Sequence, residues 1–103
     1  MANTLNRYVS TEVGLVASTI YTVAASTKAT MMGCHVCNRT SSAITIVLKA
    51  AGAFVAKDVS IPANTSLDVL SGSRINLNAA DTVTISCNTP VGADAILSVL
   101  ENT

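Results

Sequence analysis

Cys34-His35-Val36-Cys37 is the stretch whose residue types could do metal or redox chemistry, because two thiols two residues apart make half of many zinc sites. A zinc ion needs ligands that converge, however, and in a regular strand residues three apart point to opposite faces. Cys34 and Cys37 therefore diverge unless a bulge or turn intervenes. His35 lies between them and Cys87 is the only further thiol, so a fourth ligand is hard to find. A redox dithiol would want Cys-X-X-Cys at a helix start in a βαβ setting, and neither element is visible. The spacing predicts reduced thiols acting as small buried hydrophobes, with pairing of Cys87 to Cys34 or Cys37 left open and no metal site.

The remaining chemistry-bearing residues are dispersed. A single histidine, His35, limits general acid–base work, and its place in an apolar strand predicts a packed or interface side chain. Asp58, Asp68, Asp81, Asp94 and Glu101 stand singly at strand edges or turns, where a carboxylate caps or solubilises. No glycine-rich loop cradles a phosphate, and no serine stands in a nucleophile elbow. The expectation is a chain with no catalytic residues, no cofactor and no small-molecule substrate, hence not an enzyme. Lys28, Arg39, Lys49, Lys57 and Arg74 are scattered and read as solvated positions. Arg39 and Arg74 fall in turns, from which a long cation could reach a neighbour's carboxylate, and they are the interface candidates.

Charge and composition narrow the partners. Six basic residues balance six acidic ones, so the electrostatic footprint of a phosphate-backbone binder is missing and nucleic acid is not an expected partner. No run approaches the roughly 18 apolar residues of a membrane span, and Met1 to Ser10 lacks the layout of a secretory signal. The expectation is a chain kept in a cytoplasm, away from membranes. The sequons at Asn38 and Asn64 then reflect turn chemistry. Only 12% of residues are charged, and near-zero charge on a Ser/Thr/Asn-rich surface favours association with protein.

The elements that position these residues are strands. Ile44, Ile46 and Leu48 alternate with Thr45 and Val47, and Val83, Ile85 and Cys87 alternate with Thr82, Thr84 and Ser86, giving two half-buried strands. Further strands are expected over Val16–Val23, Lys28–Cys37, Phe54–Ile61, Ser66–Leu70, Ile75–Leu77 and Ala95–Glu101. Turn chemistry separates them at Ala24–Thr27, Asn38–Ser42, Ala50–Gly52, Pro62-Ala63-Asn64, Ser71-Gly72-Ser73, Asn78–Asp81 and Thr89-Pro90-Val91-Gly92. The Ala-rich stretch Val47 to Ala56 suits a helix by propensity, but Gly52 and the flanking alternation favour a hairpin. The 103 residues form one domain, an all-β, antiparallel two-layer sandwich of about eight short strands, jelly-roll-like, with residues 1–6 as a flexible arm. Half the residues are apolar yet only Tyr8, Tyr21 and Phe54 are aromatic, so the core is aliphatic. This paucity of stacking platforms makes a carbohydrate-binding module a weak reading.

The stretches Ile20-Tyr21-Thr22-Val23-Ala24-Ala25-Ser26-Thr27-Lys28-Ala29-Thr30 and Asn38-Arg39-Thr40-Ser41-Ser42-Ala43-Ile44-Thr45-Ile46 resemble small virion proteins of tailed bacteriophages. Ile61-Pro62-Ala63-Asn64-Thr65-Ser66-Leu67, Val69-Leu70-Ser71-Gly72, Ile75-Asn76-Leu77, Ala80-Asp81-Thr82-Val83 and Leu97-Ser98-Val99-Leu100-Glu101 continue the likeness. Ala24-Ala25 stands where such proteins would have a proline, which implies a looser turn. The resemblance implies a non-enzymatic virion structural protein, a capsid decoration or cement protein on the capsid exterior, assembled in the host cytoplasm. Its expected partners are itself, as a homotrimer, and the major capsid protein lattice. A tail- or baseplate-associated protein that contacts a receptor is the alternative.

Overall fold

The computed structural model describes residues 3–70 and 74–102. Nine strands follow one another: β1 (Asn3–Val13), β2 (Ser18–Thr22), β3 (Lys28–Asn38), β4 (Ile44–Ala50), β5 (Ala53–Ile61), β6 (Ser66–Asp68), β7 (Ile75–Leu77), β8 (Thr82–Cys87) and β9 (Ala93–Asn102). The expected Ser71-Gly72-Ser73 turn lies outside the described residues. Alternation sets the faces as the sequence predicts: Ile44, Ile46 and Leu48 are buried on β4, and Val83, Ile85 and Cys87 on β8.

All pairings are antiparallel, in two packed sheets ordered β1-β9-β3-β6, with β7 also on β3, and β2-β8-β4-β5. Successive strands from β1 to β4 pass back and forth between the sheets, and β8 and β9 do the same, which is the wrapping of a jelly roll. The core is aliphatic, with Met31, Val36, Leu97 and Val99 from one sheet facing Ile44, Ile46, Leu48 and Ile85 from the other. Between β4 and β5 the ambiguous Ala-rich stretch is a hairpin. Ala50 pairs Ala53 around a two-residue loop in which Ala51 and Gly52 have φ of 53° and 81°, the signature of a type I′ turn.

One feature departs from the sequence reading. Residues 3–6 belong to β1 and run in unbroken register with β9 from Asn3 opposite Asn102 to Ser10 opposite Ala95, so they are strand rather than arm. The ends of the sheets also differ in how well they are closed. On β5 an extra residue opposes the Ile46–Leu48 step of β4, and another the Leu48–Lys49 step, so this edge is doubly bulged, with Asp58 at φ 52°. Bulges and charged side chains such as Lys57 and Asp58 are how edge strands resist pairing with other chains. The first eight residues of β1 carry no bulge and a single charge, Arg7.

Asn38 ends β3 with its side chain buried. Its Nδ2 donates to the carbonyl oxygens of Ser42, Ile61 and Pro62 at 2.8, 3.0 and 3.1 Å, and its Oδ1 accepts from the Thr40 amide and hydroxyl, both at 2.8 Å. This sequon is turn chemistry, as expected: the amide is consumed holding the β3–β4 connection to the end of β5.

Candidate functional site

β3 carries a bulge at Met32, which shifts the buried phase from Ala29 and Met31 to Cys34, Val36 and Asn38. The bulge precedes Cys34, so Cys34 and Cys37 sit in regular strand and point to opposite faces. Cys34 is buried, and burial pushes its thiol up to about 12, with the Asp68 charge adding to the shift. Cys87 is buried as well, its thiol 2.9 Å from the Thr89 carbonyl oxygen and 3.2 Å from that of Val13. Cys37 corrects the expectation of three buried thiols: it is exposed on the outer face, because the register that buries Cys34 turns Cys37 outward. The same register leaves His35 exposed rather than packed, opposite Ile96 of β9 and Asp68 of β6.

The two interface candidates are not brought together. Arg39 follows β3 and its Nη1 lies 3.6 Å from Asp94 Oδ1, a half-exposed pair within the chain that contributes little to stability. Arg74 is exposed just before β7, whose Ile75 pairs Met31 near the other end of β3, roughly 25 Å away by strand rise. Asp68, Asp81 and Asp94 accept backbone amide hydrogen bonds from Leu70, Asn78 and Glu12 at 3.2, 2.8 and 2.9 Å, as capping carboxylates do.

Glu101 behaves otherwise. β9 alternates Ala95, Leu97 and Val99 inward, and Glu101 continues that phase to the end of the sandwich. There it accepts hydrogen bonds from Tyr21 OH at 2.6 Å, from Tyr8 OH at 3.2 Å and from Asn6 Nδ2, while the two tyrosine rings lie with centroids 4.4 Å apart. The Tyr21 hydrogen bond leads in holding the Glu101 carboxyl below the usual range, with Asn6 and Tyr8 adding to it and burial opposing them. Burial, followed by the Glu101 contact, raises the Tyr21 hydroxyl well above its ordinary value. One carboxylate thus ties β1 and β9 to β2 of the facing sheet.

This knot explains the orientation of β1, which is inverted. Asn6, Tyr8 and Ser10 face the sandwich, whereas Leu5 and Val9 face out, at 69% and 52% exposure. Across the register Val9 stands beside Ile96, itself 45% exposed, and Leu5 beside Leu100. The intervening row is Arg7, Ser98 and Gly33, whose outward Cβ position is open space, so the apolar rows flank a shallow dip. An apolar face on an unprotected edge strand fits contact with another protein. No residue of this face was singled out from the sequence. The signal available was the two-residue alternation Leu5, Arg7, Val9 against Asn6, Tyr8, Ser10.

No family model matches the chain, and no curated protein matches it. A solved structure described as "Bacillus endospore appendages form a novel family of disulfide-linked pili" superposes with a TM-score of 0.54 over 98% of this chain and 88% of that one, at 16% identity. At that identity the likeness is one of fold: this chain is similar to that subunit in the course of its backbone.

Proposed function

We propose that this chain is a non-enzymatic structural subunit whose work is to bind protein, associating with copies of itself and docking on a larger protein lattice. The observation that carries the reading is the inverted β1 strand, with Leu5 and Val9 outside beside Ile96 on an edge that runs from Asn3 to Ser10 without a bulge and with Arg7 as its one charge. The balanced charge of the chain leaves no long-range repulsion to oppose that contact. The similar backbone in a protein described as forming pili supports the coarse reading, a repeating protein assembly, and no more than that. The resemblance to small tailed-phage virion proteins supplies the finer one: a homotrimeric decoration or cement protein on the capsid exterior, with a tail or baseplate component as the alternative. A protein that binds only the assembled shell stabilises it by mass action. Deleting the gene and heating the particles tests this. Shells that burst at lower temperature fit cement; unchanged heat resistance with defective adsorption rejects it in favour of the tail.

A further inference from the structure

On the outer face of the first sheet, at the end away from Arg39, a cavity of about 420 Å³ opens across four strands. Its polar lining is Asn3 of β1, Asn102 of β9, Lys28 and Thr30 of β3, and Asn76 and Asn78 on and just after β7. Register places these side chains in rows. Asn3, Asn102 and Lys28 stand opposite one another in one, and Leu100, Thr30 and Asn76 in the next. Thr30 Oγ1 donates to Asn76 Oδ1 at 3.1 Å, so the second row is already held in place.

Asn102 Oδ1 is buried and accepts no hydrogen bond within the chain. A buried acceptor without a donor costs free energy, and native structures seldom leave one. Asn102 also lines the cavity, which brings this unsatisfied carboxamide to its wall. The size falls within the range of small-molecule sites.

The lining selects the ligand. Each carboxamide presents one acceptor and two donors, and a hydroxyl is both donor and acceptor, so a compound dense in hydroxyl groups can satisfy several amides at once. An apolar compound would strand them. Among the described residues Lys28 is the single charge of the lining and no Asp or Glu lines the cavity, which favours a ligand carrying one carboxylate. Leu100 gives an apolar patch against which the C–H face of a sugar ring can lie. Strand addition is excluded here, because the cavity sits on the face of the sheet, where β1, β9, β3 and β7 have paired their backbones with one another. The geometry points to a binding site for an acidic saccharide, with Lys28 on the carboxylate and the Asn3, Asn76, Asn78 and Asn102 amides on the hydroxyls. Recognition is by amides rather than by aromatic stacking, which is why composition gave no sign of it. Of the site's lining, Leu100 also belongs to the outer apolar rows of β1 and β9, while the row of Asn3, Asn102 and Lys28 lies beyond them.

The test is a titration of the isotopically labelled full chain with D-glucuronate, following the side-chain amide signals by NMR, with D-glucose and acetate as controls. Glucuronate should shift the amide signals of Asn3, Asn76, Asn78 and Asn102 and saturate in the millimolar range, with glucose binding several-fold more weakly. Lys28→Met should reduce glucuronate to the level of glucose and leave glucose unchanged. Acetate reproducing the glucuronate shifts while glucose gives none would overturn the saccharide in favour of simple anion contact. Absence of any shift in the wild-type chain with glucuronate would overturn the site itself, whatever the variant does.

Discussion

At the scale of single residues, the turn Thr89-Pro90-Val91-Gly92 shows two demands for glycine on neighbouring positions. A Cβ at Gly92 would lie 2.9 Å from Cys87 Sγ and 3.0 Å from the Thr89 carbonyl oxygen, so only glycine fits there. Val91 is left with the left-handed conformation, φ 50°, that a β-branched side chain resists most. Val91→Gly should therefore raise stability by about 1 kcal/mol despite the added freedom of the unfolded chain, whereas Gly92→Ala should lower it. Chemical denaturation of both variants checks the pair, and a destabilised Val91→Gly would contradict the strain. Glu101 makes the second case. Its carboxyl is held below the ordinary range chiefly by Tyr21, so its contribution is complete above the unfolded value of about 4.3 and is lost as pH falls through the folded one. The wild-type melting temperature should drop on acidification more steeply than that of Glu101→Gln; parallel curves would mean the knot does not couple to pH.

At the scale of elements, the strands that read clearly were those with apolar residues on one face. β4 and β8 were legible to the residue because Ile44, Ile46, Leu48, Val83 and Ile85 repeat every second position and bury accordingly. Ile46→Ala or Ile85→Ala should cost about 2 to 5 kcal/mol, measurable by urea unfolding, and a loss below about 1 kcal/mol would contradict their central place in the core. β1 was not legible as a strand, because its inward residues are Asn6, Tyr8 and Ser10 and a periodicity reading looks for the reverse. The group that accepts from Asn6 and Tyr8, the Glu101 carboxylate, lies 95 residues from Asn6 in the chain and becomes their neighbour only when β9 pairs with β1. The outer face at Leu5, Val9 and Ile96 was missed for the same reason. The opposed faces of Cys34 and Cys37 followed from alternation alone, whereas the exposure of Cys37 and His35 needed the sheet to say which face is outside.

At the scale of the whole molecule, a sandwich this small buries only about 60 to 65% of the surface of its unfolded chain, and association is one way to bury more. Its edges are closed unequally: β5 by bulges and charge, β2 by its five-residue length and a bulge, β6 and β7 by being three residues each, and β1, over Asn3–Ser10, by neither bulge nor more than the one charge of Arg7. Closed symmetry is how soluble proteins most often satisfy such a face. The proposed assembly therefore rests on the outward apolar side of β1 and β9 being an interface. Sedimentation of the purified chain and of the double variant Val9→Lys, Ile96→Lys, at matched concentrations and with melting curves recorded for both, measures this most directly. The wild-type chain should sediment at three times the monomer mass and the variant as a folded monomer with little change in melting temperature. A wild-type chain that stays monomeric at every concentration, or a variant that assembles as the wild type does, would contradict it.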